Sequence, residues 1–344
     1  MRLATSAEAR ALVLVGALLS GACASTGSSS GGSGGSPPGS GGATLGSGGM
    51  TSGSGGVSPG SGGTGTATGG ATGSGGAATA SGGAGGGSSG ATPSAGCGQA
   101  ATLQSGTATI DVSGTSRTYI LYIPSNYDSS KPYKLIFGFH WLGGAATDVA
   151  SGQIIGGPYY GLESRSNGSA ILVAPDGLPD PNQNNNKGWP NTNGQDVAFV
   201  KAMLQQFESG LCIDQSRIFS TGFSYGGIFS LTLGCQMSNV FRAIAPESGE
   251  FFGNCTASGA GPVAVWQSQG DSDTTVPPAN AQSANNYFVT KNHCTTTTTA
   301  VSPSPCVMYQ GCDSGYPVTW CEFSGGHMPW SMAPDPVWAF FNQF

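Results

Sequence analysis

A mostly parallel, doubly wound α/β sheet with helices on both faces is the fold class this sequence predicts, and three observations predict it. Short runs at 134–139, 170–174, 217–221 and 263–267 are largely apolar instead of alternating. Strands of that kind are buried on both faces, which is the situation of parallel strands. Segments with helical spacing, 196–204 and 279–289, alternate with such runs, as crossover connections require. The third observation is the turn Gly222-Phe223-Ser224-Tyr225-Gly226-Gly227, set between an apolar strand and an apolar helix. So tight a turn needs small residues two positions either side of its serine. It holds the serine hydroxyl clear of the backbone, at the electropositive end of the helix.

The 344 residues are not of one composition. Arg2 and Arg10 flank the start of the segment 1–23, and 11–19 is an apolar run, too short to span a bilayer and of the length of a signal-peptide core. Two processing readings stand at its end. Leu19-Ser20-Gly21-Ala22-Cys23 resembles a bacterial lipobox, with its leucine one place too far from the cysteine, and would make Cys23 a lipid-bearing membrane anchor. Ala22-Cys23-Ala24 also fits the small-x-small site of ordinary secretion. Either way the chain is expected to be exported, to the medium or to the cell surface. From 24 to 96 the sequence is Gly, Ser, Thr and Ala with few exceptions, and it has no aromatic or charged side chain. Such a stretch buries too little apolar surface to offset its ordering entropy, so a flexible tether with a span of about 45 Å is expected. The remainder, 97–344, suits one α/β domain with a substantial core.

Of the nine cysteines, eight remain once Cys23 is set aside: Cys97, Cys212, Cys235, Cys255, Cys294, Cys306, Cys312 and Cys321. An even number in an exported domain reads as up to four disulfides, whose pairing the sequence leaves open. The last four lie in a Thr/Ser/Pro-rich stretch, where staples hold loops that have little core of their own. No C-x-x-C or H-E-x-x-H spacing occurs, so a metal is not expected. The formal net charge of −6 argues against nucleic acid or an anionic lipid surface as partner.

Along the domain, 107–112 and 117–123 alternate on either side of Gly114-Thr115, the pattern of an antiparallel hairpin at a sheet edge. The buried strand 134–139 ends in His140-Trp141-Leu142-Gly143-Gly144, and the strand 170–174 ends in Pro175-Asp176-Gly177. The Asn/Gly-rich stretch 182–193 reads as a surface loop carrying Trp189. Asp196 opens the helix 196–204, where an acid favours the start. After the serine turn come a helix running toward Cys235, strands at 241–246 and 263–267, a helix at 279–289, a strand at 318–323 and a closing helix at 336–341.

A serine hydroxyl is a weak nucleophile and needs a base, and the chain has three histidines. His327 lies in Gly325-Gly326-His327-Met328-Pro329-Trp330, directly after the last strand. His293 sits in a polar stretch after a helix and reads as a surface residue; His140 belongs to the loop after the third strand. Two acids, Asp271 and Asp273, compete for the place of an orienting carboxylate in the loop that follows 263–267. A developing oxyanion needs two backbone N–H groups, and that of Tyr225, next to the serine, is one. Trp141, Trp189, Tyr225 and Trp330 lie in or beside these loops and turns, with rings able to stack on a planar group.

The order serine, acid, histidine resembles that of the α/β-hydrolases, which puts His327 in the role of base. The stretch Gln269-Gly270-Asp271-Ser272-Asp273-Thr274-Thr275-Val276 resembles their H-G-x-x-D-x-x-V pattern with Gln269 in place of the histidine. That likeness makes Asp273 the acid and Asp271 a turn residue. Residues 140–144 resemble their H-G-x-G-G loop, with Trp141 where glycine is usual, and make Leu142 the second oxyanion donor. More narrowly, the domain resembles the feruloyl esterases and polyhydroxybutyrate-depolymerase-like enzymes of the carbohydrate-esterase type. Matching pieces run from Tyr119-Ile120-Leu121-Tyr122-Ile123-Pro124 and Phe139-His140-Trp141 through Gly188-Trp189, Asp196-Val197-Ala198-Phe199, Cys212-Ile213-Asp214 and the serine turn to Gly325-Gly326-His327-Met328-Pro329. The resemblance implies a serine esterase that needs no metal or organic cofactor. Its substrate would be ferulic or related hydroxycinnamic esters of plant cell-wall polysaccharide, arabinoxylan or pectin, cleaved through an acyl-enzyme. Acetyl-xylan esterase and short-chain polyester depolymerase fit the same residues. The alternative of another class is a surface glycan-binding module on an inactive hydrolase fold, against which the presence of Ser224, Asp273 and His327 argues.

Overall fold

The computed structural model describes residues 90–152, 156–252, 255 and 261–344. The signal segment 1–23, Cys23 and the tether as far as residue 89 lie outside the described residues. In chain order the elements are β1 (Gly106–Val112), β2 (Thr115–Tyr122), β3 (Tyr133–Phe139), α1 (Ala146–Ser151), α2 (Leu162–Ser166), β4 (Ala170–Pro175), β5 (Leu178–Asp180), β6 (Asn186–Gly188) and α3 (Gln195–Gly210). Then follow β7 (Ile213–Phe223), α4 (Tyr225–Gln236), β8 (Ala243–Glu247), β9 (Ala264–Gly270), α5 (Pro278–Lys291), β10 (Thr298–Ala300), β11 (Val307–Tyr309), β12 (Val318–Phe323) and α6 (Pro334–Asn342).

Ten strands form one sheet in the order β1-β2-β4-β3-β7-β8-β9-β12-β11-β10. The six from β4 to β12 run parallel, and antiparallel pairs flank them at both edges. The two sequence patterns follow from this order. β3, β4, β8 and β9 are buried at every residue, because helices cover both of their faces. β2 alternates, and the edge strand β1 has no buried residue. Successive residues of β3 go to opposite faces: Leu135, Phe137 and Phe139 join an apolar cluster with Phe207 and Phe229, while Ile136 joins a second with Phe219 and Phe341. Each such fully buried side chain contributes about 1.5–3 kcal/mol of transfer free energy. α4 is apolar on every side and almost wholly buried, the state expected of a helix packed directly on the sheet that carries the serine turn.

Three expectations are corrected. The tether does not extend to residue 96. Thr92 N–H donates to Asp214 Oδ1 at 3.0 Å, Ser94 N–H to the Ile213 oxygen at 2.8 Å and Gly96 N–H to the Glu208 oxygen at 2.8 Å. These bonds and the Cys97–Cys212 disulfide offset the ordering entropy that composition alone would leave uncompensated. The stretch 182–193 is not an open loop; its middle forms β6, which pairs with β5, and Trp189 behind it is 2 % exposed. Asp196 does not cap its helix. Asn191 does so from outside, its Oδ1 accepting from Asp196 and Val197 N–H, while the Asp196 carboxylate is buried against Arg117 at 2.8 Å. The eight cysteines of the domain pair as Cys97–Cys212, Cys235–Cys255, Cys294–Cys312 and Cys306–Cys321.

Candidate active site

Ser224 joins β7 to α4 with φ 55° and ψ −119°, a conformation that costs a non-glycine residue free energy and persists only when its surroundings enforce it. Two glycines make the turn feasible. A Cβ on Gly222 would come within 2.6 Å of the Gly226 carbonyl carbon, and one on Gly226 within 2.0 Å of the Phe139 oxygen. The end of β3 therefore lies against the serine turn. Tyr160 fastens the two: its buried phenol donates to the Phe139 oxygen at 2.6 Å and accepts the Phe223 N–H at 3.0 Å. Burial pushes that phenol further up from its ordinary value, so it remains a donor at all ordinary pH. Tyr160 had no signal in the sequence, since both of its partners are backbone atoms.

The structure brings Ser224, His327 and Asp273 together. His327 Nε2 lies 2.8 Å from Ser224 Oγ, and its Nδ1 lies 2.7 Å from Asp273 Oδ2. The other Asp273 oxygen accepts the Thr275 and Val276 N–H groups at 2.8 and 2.9 Å. Burial alone would raise the pKa of this carboxyl, but the His327 hydrogen bond and those backbone donors outweigh it and hold Asp273 below the usual carboxylate range. Gln269, which stands in the place of a histidine, donates from Nε2 to Asp273 Oδ2 at 3.0 Å and to the Val276 oxygen at 2.9 Å. Asp271 is exposed and accepts the Gly325 N–H at 3.1 Å; it ties the acid's loop to the histidine's. His293 is a surface residue beside Asp313.

The loop after β3 is held by His140. Its Nδ1 donates to the Trp141 oxygen at 2.7 Å and its Nε2 accepts the Gly177 N–H at 2.8 Å. Burial pushes this imidazole down to about 4, so it stays neutral with a fixed tautomer. Gly143 N–H donates to the Lys187 oxygen on β6. Leu142 and Tyr225 N–H find no acceptor among the described residues, and Tyr225 is the first residue of α4, whose N–H has no partner within the helix. The Tyr225 ring does not face a substrate. It is buried beneath β6, where a Cβ on Gly188 would come within 2.4 Å of it, and its hydroxyl donates to Asp180 Oδ2 at 2.7 Å.

The aromatic wall read from sequence is corrected at two more positions. Trp189 stacks on Phe229 and donates from Nε1 to the His140 oxygen. Trp330, 8 % exposed, stacks with Trp266 and Phe323. Both serve the core, and Trp141 is the one of the three that remains half-buried. Met328, 50 % exposed, follows His327 directly, while Phe252, 45 % exposed, packs edge-on to the buried Tyr225 ring. Among the described residues no three His, Cys, Asp or Glu side chains converge as a metal-ligand set, and no helix is long and apolar enough to cross a membrane.

Comparison with known proteins agrees with this geometry. The family model for phospholipases and carboxylesterases matches residues 176–309. A probable feruloyl esterase C of Aspergillus terreus is 42 % identical over 260 residues, 72 % of this chain and 91 % of the relative. Feruloyl esterase D of Neurospora crassa is 40 % identical over 271 residues, 73 % of this chain and 91 % of the relative. The solved structure of an acetyl xylan esterase from Aspergillus awamori is similar in fold, with a TM-score of 0.55 at 16 % identity, covering 69 % of this chain and 98 % of that one. With so large a share of its relatives' length matched at such identity, the chain belongs to the feruloyl esterase family, carboxylic ester hydrolases of the α/β-hydrolase fold.

Proposed function

We propose that the chain hydrolyses esters of ferulic and related hydroxycinnamic acids on plant cell-wall polysaccharide, with Ser224 as nucleophile, His327 as base and Asp273 as the acid that orients it. The observation that carries the reading is the hydrogen-bonded line from Ser224 Oγ through His327 to Asp273; the feruloyl esterase names of its relatives supply the substrate. Ser224 Oγ attacks the ester carbonyl while His327 Nε2 takes its proton, and Asp273 stabilises the imidazolium so formed. The tetrahedral oxyanion accepts the N–H groups of Tyr225 and Leu142. His327 then gives the proton to the departing sugar alcohol. The acyl-enzyme is released by water, which His327 deprotonates in turn. Trp141, beside Leu142, and Met328, beside His327, offer apolar surface to the aromatic acyl group. The folded domain carries the chemistry. Export, with or without a lipid on Cys23, belongs to the segment 1–23, and metabolic labelling with palmitate separates the two modes.

The test is a hydrolysis panel of methyl ferulate, p-nitrophenyl acetate and poly(3-hydroxybutyrate), with a fluorophosphonate probe for the serine. Ferulate release with labelling of Ser224 is expected, and Ser224→Ala should remove labelling and lower turnover by about 10⁶-fold. Rapid acetate release without ferulate release would replace the acyl assignment by a short-chain one.

A further inference from the structure

Glu247 ends β8 with its carboxyl in the interior, 3 % exposed, and no step above uses it. A carboxyl taken so far out of water is costly unless a specific partner holds it. Its place is defined by three contacts. The main-chain oxygen of Glu247 accepts the Ser224 N–H at 2.9 Å. Its side-chain Oε2 accepts the Trp330 N–H at 3.1 Å, and Trp330 stands three residues after His327 on the same loop. The serine turn also lies against it so closely that a Cβ on Gly227 would come within 2.6 Å of the Glu247 oxygen. Nucleophile and base are 103 positions apart in the chain, and Glu247 bonds to the segment of each, to one through its main chain and to the other through its side chain.

We infer that Glu247 is a positioning residue of the hydrolysis, that it sets the spacing of Ser224 and His327, and that it does so in its neutral form. The inference rests on the assignment of Ser224 and His327 as nucleophile and base. Burial pushes the carboxyl up to about 8, against the opposing pull of the Trp330 N–H. No cation faces it. β7 and β9 present Phe223 and Ser268 at its register positions, α4 contributes no charged side chain, and Tyr160 faces it from the segment before α2. His327 stands three residues from Trp330 and Glu250 three residues from Glu247 itself. Ionised, Glu247 would bury a negative charge beside the serine turn and the loop of His327, in an interior that screens poorly.

The test compares kcat and KM for methyl ferulate and p-nitrophenyl acetate from about pH 5 to about pH 10 in the wild-type chain, Glu247→Ala, Glu247→Gln and Ser224→Ala, each checked for fold by circular dichroism. Glu247→Ala should lower kcat about 30-fold with KM within about twofold. Glu247→Gln keeps an acceptor for Trp330 and cannot ionise. It should restore kcat at neutral pH to within about threefold and remove the fall of kcat expected of the wild type above about pH 8. A folded Glu247→Ala variant with wild-type kcat overturns the inference. So does a Glu247→Gln variant whose alkaline limb matches wild type, whether or not the alanine variant folds. Fluorophosphonate labelling that survives in Ser224→Ala overturns the assignment of the nucleophile, and the inference with it, so the two failures are told apart.

Discussion

Gln269 Nε2 donates to the same Asp273 oxygen that receives His327 Nδ1. A neutral donor there keeps the carboxylate aimed without setting a second positive charge beside it, which a charged histidine would do. Gln269→Ala is expected to lower kcat about tenfold with KM little changed, read on p-nitrophenyl acetate; an unchanged kcat would confine Gln269 to packing. Tyr160→Phe removes one hydroxyl and strands two buried backbone groups, Phe139 C=O and Phe223 N–H. It should cost about 1–3 kcal/mol of stability in a denaturant titration. At this scale the sequence was legible where chemistry dictates residue type and order, as at Ser224, Asp273 and His327. It was silent where the fold supplies the partner, as at Tyr160 and Glu247. Aromatic type also failed to tell wall from core: Trp189 and Trp330 are as apolar as a substrate wall requires, and the sheet claimed both.

Among the elements, the β5–β6 hairpin was hidden by its own composition, three residues per strand within an Asn-rich stretch. Tertiary bonds hold it: Tyr225 to Asp180, Gly143 to Lys187, and Trp189 behind it to the His140 oxygen. It presses on the ring of the residue assigned as an oxyanion donor. Gly188→Ala should therefore displace Tyr225, costing about 1–3 kcal/mol as overpacking and lowering kcat more than it raises KM; a variant with wild-type kcat would separate the hairpin from catalysis. β10 and β11 escaped notice for the same reason, since neither has a buried residue to set a pattern. Their region depends on its cross-links. Replacing Cys306 and Cys321 by serine reopens a 15-residue separation and should lower stability by about 3 kcal/mol, measured by thermal unfolding without reductant.

For the whole molecule, the parallel core was legible because burial on both faces leaves apolar runs that no half-exposed strand would show. Two buried groups set its pH response with opposite signs. His140 is pushed down to about 4 when folded. The unfolded chain therefore takes up its proton first as pH falls below the ordinary histidine value, and stability declines from there toward about pH 4. Glu247 is pushed up to about 8. The unfolded chain loses that proton first as pH rises above the ordinary glutamate value, so this contribution declines up to about pH 8. Glu247→Gln should remove the decline of Tm from about pH 4.5 to about pH 8 and leave the His140 decline that sets in as pH falls below its ordinary value; an unaltered slope across that window would mean that the carboxylate is already ionised in the fold. The bonds of Thr92 and Ser94 to Asp214 and Ile213 have a consequence of another kind. They lead the chain in at the first residues of β7, and Ser224 follows the last; Ile213 pairs with Tyr133 and Gly222 with Phe139, six residues along β3 or roughly 20 Å. The chain thus enters at one end of β7, and Ser224 stands beyond the other.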